Sequence, residues 1–283
     1  MIPRAFMIDI AGINYSAFDR SNIPLVLFHP RPEWPLPMPG HESESVMIPV
    51  ERDVEIGARF YLRDQDAPTI LFFHGNGEIV ADYDEIGMLY RKMGLNFMPV
   101  DYRGYGRSSG HPSVTAMMRD AHVAFDFVVK WRKARQQGGP LIVMGRSLGS
   151  ASALELAFHY AREIDGLIVE SGFAFIGPLL RLMGISMSAL GLTEAMGPRN
   201  LDKIKTYSRP TLIIHAEFDQ IIPFQEGQAL FDACSSANKT LLKIPGANHN
   251  DIFFHGFVPY TEAMMALVET IGGTKADPVS SND

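Results

Sequence analysis

From Thr69 onward, short runs of apolar residues alternate with longer stretches whose apolar positions recur at helical spacing. The short runs are Thr69 to Phe73, Asn96 to Val100, Leu141 to Met144, Gly166 to Glu170, Thr211 to His215 and Thr240 to Ile244. Each is only a few residues long and nearly all apolar, which predicts strands buried on both faces. Between them, residues 79–93, 114–135, 148–162, 224–233 and 258–271 read as amphipathic helices. That alternation predicts a parallel sheet sandwiched between helices. Upstream, Val46 to Val50 and Ala58 to Leu62 flank turn material at Asp53 to Gly57, as in a β-hairpin. Residues 24–40 carry Pro24, Pro30, Pro32, Pro35, Pro37 and Pro39, as in an extended segment packed on the body.

One connection is too long for a simple crossover. Residues 171–209 separate two strand runs and include Leu179, Leu180, Met183, Ile185, Leu190 and Met196, which predicts one or two helices over the sheet's edge. The expected organisation is a single α/β domain over residues 1–272, a lid insertion at about 172–208 and a small, polar, disordered tail at 273–283.

Composition narrows the partners. The 283 residues suit one large α/β unit. A formal net charge of -7 argues against nucleic acid, whose phosphates need clustered Lys and Arg. Cys234 is the only cysteine, so no intrachain disulfide can form. The start, Met1-Ile2-Pro3-Arg4, lacks the pattern of a signal peptide. The most apolar stretch, 176–192, contains Arg181 and falls short of the roughly 20 residues of a membrane span. No transmembrane segment and a cytoplasmic location are therefore expected. There is no phosphate-binding G-x-x-x-x-G-K, and no cofactor is expected.

Gly145-Arg146-Ser147-Leu148-Gly149 fits G-x-S-x-G and lies between a strand run and helix-compatible sequence. In that context the serine sits on a tight strand-to-helix turn with its hydroxyl exposed, and the glycines make room for the turn. The motif occurs twice, however. Gly106-Arg107-Ser108-Ser109-Gly110 also matches, but Asp101 to Gly104 separate it from its strand and His111-Pro112 follows, so this copy reads as a loop. Gly104-x-Gly106 begins like a dinucleotide fingerprint, but Ser109 stands at the third glycine position and no helix opens there.

A serine hydroxyl needs a base, and the base needs a partner that holds its tautomer. The expected chain order is Ser, then Asp or Glu, then His, each beyond the C-terminal end of a strand. Asp219 and His249 meet both conditions, whereas Asp232 lies in a helix pattern, and Asp251 and His255 are poorer choices nearby. The oxyanion that develops in acyl transfer requires backbone N–H donors. Leu148 should supply one and Asn76, in His74-Gly75-Asn76-Gly77-Glu78, the other.

These motifs, together with Asp101-Tyr102-Arg103-Gly104-Tyr105-Gly106-Arg107-Ser108, Ile222-Pro223 and His249-Asn250-Asp251, resemble the α/β-hydrolase superfamily over residues 69–260. Within it the chain is most similar to the Bem46-like, or serine aminopeptidase-like, hydrolases, and Phe28-His29-Pro30-Arg31 resembles that branch's N-terminal extension. The resemblance implies an eight-stranded, mostly parallel sheet with an antiparallel first hairpin. It also implies esterase, thioesterase or amidase chemistry on a small-molecule acyl substrate. His215-Ala216 stands where His-Gly is usual, a small-for-small change. Ser147 speaks against relatives whose nucleophile is Asp. A binding protein that kept the fold without the chemistry is the competing reading, and the intact Ser147, Asp219 and His249 argue against it.

Overall fold

The computed structural model describes residues 8–20, 22–34 and 43–274. Their eight strands are β1 (Glu44–Glu51), β2 (Val54–Phe60), β3 (Thr69–Phe73), β4 (Asn96–Val100), β5 (Leu141–Arg146), β6 (Gly166–Glu170), β7 (Thr211–Ala216) and β8 (Lys239–Ile244). They form one sheet in the order β1-β2-β4-β3-β5-β6-β7-β8. β1 pairs antiparallel with β2, and β2 with β4, while every later neighbour is parallel. This is the eight-stranded, mostly parallel α/β-hydrolase sheet that the resemblance implied.

Helices complete the layers: α1 (Ser16–Asp19), α2 (Ile23–Leu27), α3 (Asp84–Lys92), α4 (Val114–Ala134), α5 (Gly149–His159), α6 (Ile176–Leu182), α7 (Asn200–Ile204), α8 (Phe224–Ala233) and α9 (Ile252–Thr274). The period of two along each strand divides the core. Leu71, Phe73, Val143 and Val169 face one way, into a core shared with α4, α5 and α8. Ile70, Phe72, Met144 and Ile168 face the other way, against Tyr90 of α3 and Tyr260, Met264 and Leu267 of α9. The strands therefore look uniformly apolar because both faces are covered.

Several local expectations are corrected. The hairpin turns at Arg52 and Asp53, with Asp53 at φ 61°, so β2 starts at Val54 rather than Ala58. Residues 23–27 form a helix, not extended chain, because Pro24 falls in the first turn, where its missing N–H costs nothing. Pro35, Pro37 and Pro39 lie outside the described residues, as do 275–283 of the expected tail. The last helix starts at Ile252 rather than Val258 and kinks at Gly256, where a Cβ would come within 2.6 Å of Ile244. Pro259 then stands near the start of the straight part, which explains why a proline is tolerated there.

The long connection after β6 contains α6, two short 3₁₀ turns (Ser188–Leu190 and Glu194–Met196) and α7. Glu194 accepts the N–H groups of Ile176 and Gly177, at 3.0 and 2.6 Å, and so caps α6. α7 packs on α5 and α8. Among the described residues no helix is long and apolar enough to cross a membrane.

Candidate active site

β5 runs apolar to Met144 and then turns sharply. Gly145 and Gly149 are required by space: a Cβ on Gly145 would lie 2.3 Å from the Gly149 carbonyl oxygen, and one on Gly149 would lie 2.1 Å from that of Phe73. Between them Ser147 adopts φ 52°, a left-handed conformation that costs a non-glycine residue of order 1–3 kcal/mol. The Ser147 N–H donates to the Glu170 carbonyl at 2.8 Å, so the neighbouring strand end helps hold the strained turn.

The turn points the hydroxyl toward the loops beyond β7 and β8. Ser147 Oγ is 3.0 Å from His249 Nε2, and His249 Nδ1 is 2.7 Å from Asp219 Oδ2. A proton on Nδ1 satisfies both contacts: Nδ1–H donates to the carboxylate, and Nε2 accepts the serine O–H. All three residues are buried. Burial alone would raise the Asp219 carboxyl, but the His249 hydrogen bond and charge and the Ile222 N–H outweigh it and hold it below the usual carboxylate range.

His215 is the nearest rival to His249, with Nε2 3.6 Å from Asp219 Oδ2. It is fully buried and donates from Nε2 to the Ile222 carbonyl at 2.7 Å, and that burial pushes its pKa down. It is committed to holding the Asp219 loop. His255 and Asp251 form their own 3.5 Å pair on α9 and its entry loop. Ser108 is occupied in the hairpin region, where its Oγ accepts the Gly57 N–H at 2.8 Å.

Asn76 and Leu148 line the same cavity as Ser147, a space of about 210 Å³ walled by Leu27, Leu179, Met183 and Ile221. Among the described residues neither backbone N–H finds an acceptor. The Asn76 side chain turns away from the cavity's chemistry. Its Oδ1 accepts the His29 N–H at 2.9 Å and the Tyr105 hydroxyl at 2.8 Å. Arg31 Nε donates to the Gly77 carbonyl at 2.8 Å, so residues 28–31 form a strap that fixes this loop.

Sequence reasoning missed the ion network under the site. Arg146, the variable residue of the motif, donates to Glu78 and Glu170, the latter at 3.1 Å, and to the His249 carbonyl at 2.8 Å. Glu78 in turn accepts the Gly75 N–H and the Tyr83 hydroxyl, both at 2.6 Å. Burial would raise the Glu78 carboxyl, but the Arg146 charge and the Tyr83 hydroxyl overcome it and hold it below the usual range. One guanidinium thus ties together the Asn76 loop, the Ser147 turn and the His249 loop. A signal was present: Arg146 and Glu170 are register partners, opposite charges ending adjacent apolar strands.

The family described as serine aminopeptidase, S33, matches residues 64–201. The bem46 protein of Schizosaccharomyces pombe is 28% identical over 240 residues, covering 77% of this chain and 79% of that protein. α/β-Hydrolase domain-containing protein 17B of Xenopus tropicalis is 32% identical over 235 residues, covering 80% of this chain and 75% of that protein. Among solved structures, an esterase of Pyrococcus furiosus superposes with a TM-score of 0.69 at 17% identity, over 87% of this chain and 98% of its own.

Proposed function

This chain belongs to the α/β-hydrolase family, in its Bem46-like branch, and from that premise we propose that it cleaves carboxylic esters through an acyl-enzyme intermediate on Ser147. The observation that carries the reading is the continuous contact from Ser147 Oγ through His249 to Asp219, at 3.0 and 2.7 Å, on a strained turn. In the mechanism, Ser147 Oγ attacks the acyl carbon while His249 Nε2 takes its proton. Asp219 keeps the imidazole in the Nδ1–H tautomer and stabilises the imidazolium. The N–H groups of Leu148 and Asn76 receive the developing oxyanion. His249 returns the proton to the leaving alcohol, the C–O bond breaks, and the acyl group remains on Ser147. Water, deprotonated by the same imidazole, then releases the acid and restores the serine. No cofactor enters these steps.

The acyl group would occupy the cavity beside Ser147, with Leu27, Leu179, Met183 and Ile221 around it. At about 210 Å³ it is smaller than the roughly 300–1,000 Å³ of pockets for drug-sized ligands, which favours short acyl chains. α6 of the long insertion supplies Leu179 and makes that insertion a wall of the pocket, as a lid would be. The test is kcat/KM on p-nitrophenyl esters of increasing chain length. A maximum at short chains with a steep fall beyond supports the reading. Absence of hydrolysis across the series, or equal rates in Ser147→Ala, would contradict it.

A further inference from the structure

Two to three turns along α5 from Ser147, a second polar cluster, buried except for His159, plays no part in the chemistry above. Glu155 and His159, four residues apart, share one face of α5, and His122 meets them from α4. By helix rise they lie roughly 12 and 18 Å beyond Ser147 along the axis. We propose that His122, Glu155 and His159 form a binding site for a divalent transition-metal ion, with zinc as its probe.

The argument begins with distances. His122 Nε2 and His159 Nε2 lie 3.3 and 3.4 Å from the same carboxylate oxygen, Glu155 Oε1. One donor atom from each of the three residues lies within 4.8 Å of the other two. In a tetrahedral site with ligand bonds of about 2.0–2.1 Å, neighbouring donors stand about 3.3–3.4 Å apart. Two edges of such a tetrahedron are therefore already in place. The donor set, two imidazoles and a carboxylate, suits zinc and its first-row neighbours.

The surroundings supply what a metal site needs next. His122 Nδ1 contacts the Tyr160 hydroxyl at 2.9 Å, the outer partner that fixes a ligating imidazole. Lys203 holds the other carboxylate oxygen, Oε2, leaving Oε1 to the imidazoles. Glu155 and His159 also line a cavity of about 740 Å³ bounded by residues 8–17 and 195–203. That space gives an entry path and room for a water as fourth ligand. The Lys203 ammonium opposes a dication, so weaker binding than at all-thiolate structural sites is expected.

The experiment titrates zinc into metal-free, tag-free full-length protein by calorimetry and follows cobalt by its visible absorption. One equivalent bound, tetrahedral-type cobalt bands, and loss of both in His159→Ala support the site. His159 is partly exposed, so its removal tests binding without opening the core, and circular dichroism verifies the fold. Tyr160→Phe is expected to weaken zinc by about 10-fold. His249→Ala controls for adventitious binding at Ser147 and should leave the titration unchanged. Absence of stoichiometric binding, retention of binding in His159→Ala, or its loss in His249→Ala would overturn the proposal.

Discussion

Two segments of this molecule spell the same five-residue pattern and fold in opposite ways. At 106–110 the glycines carry the unusual backbone: Gly106 and Gly110 sit at φ 55° and 77°, and Ser108 is ordinary. At 145–149 the serine carries it, at φ 52°, while both glycines have negative φ and serve only to leave space. The first arrangement makes a loop pinned to the hairpin, with Ser108 Oγ taking the Gly57 N–H. The second presents an oxygen to His249 at the start of α5. The difference lies in the flanks: β5 runs directly into one copy and a helix leaves it, whereas five residues separate the other from β4. The same pattern of residue types thus presents its serine to a base only where secondary structure places the strain on that serine.

The comparison can be broken by substitution. Ser147→Ala should lower kcat by up to about a million-fold, on the scale of losing the nucleophile elsewhere, with the thermal midpoint nearly unchanged. Asp219→Asn should cost about 10⁴-fold in kcat, because an amide no longer holds the Nδ1–H tautomer. Arg146→Met should cost on the order of 100-fold by letting the Asn76, Ser147 and His249 loops drift. It should also destabilise the fold, since Glu78 keeps a half-buried charge without its partner, and the added Glu78→Gln change should recover part of that loss in urea unfolding. At the small end, Ser108→Ala should leave kcat/KM within about two-fold and cost about 1 kcal/mol, the worth of one hydrogen bond. A large activity loss there would erase the distinction between the copies.

Acid sharpens the same contrast, because depressed carboxylates lie beside Ser147, whereas the Ser108 side chain meets its surroundings through a neutral hydroxyl. Asp219 and Glu78 are both held below the usual carboxylate range. For a depressed carboxylate, the stabilising contribution is complete above the unfolded value, about 4, and is lost as pH falls through the lowered native value. Urea midpoints should therefore lose this contribution only below about pH 4, and Glu78→Gln should flatten that decline.

Much of the architecture was legible because the central strands are buried on both sides, so unbroken apolar runs such as Thr69 to Phe73 leave little choice of boundary. The misread pieces sit where local signals conflict. Pro24 looks like a helix breaker but occupies a first turn, and Gly256 joins two helical stretches that periodicity alone separates. For the site, Ser147, Asp219 and His249 stand out because each follows a strand, and the fold brings them within hydrogen-bond reach. The Arg146–Glu170 pair could have been inferred from adjacent strand ends, whereas Glu78 stayed hidden, since its loop meets Arg146 only in three dimensions. The cluster on α4 and α5 stayed hidden likewise: His122 and Glu155 are 33 residues apart and look like ordinary polar positions on amphipathic helices.

The most direct measurement treats native protein with a fluorophosphonate probe and maps the adduct by peptide mass spectrometry. The account predicts one covalent adduct, on the peptide carrying Ser147, abolished in Ser147→Ala and unaffected in Ser108→Ala. No adduct under conditions that label a control hydrolase, or an adduct on Ser108, would contradict it.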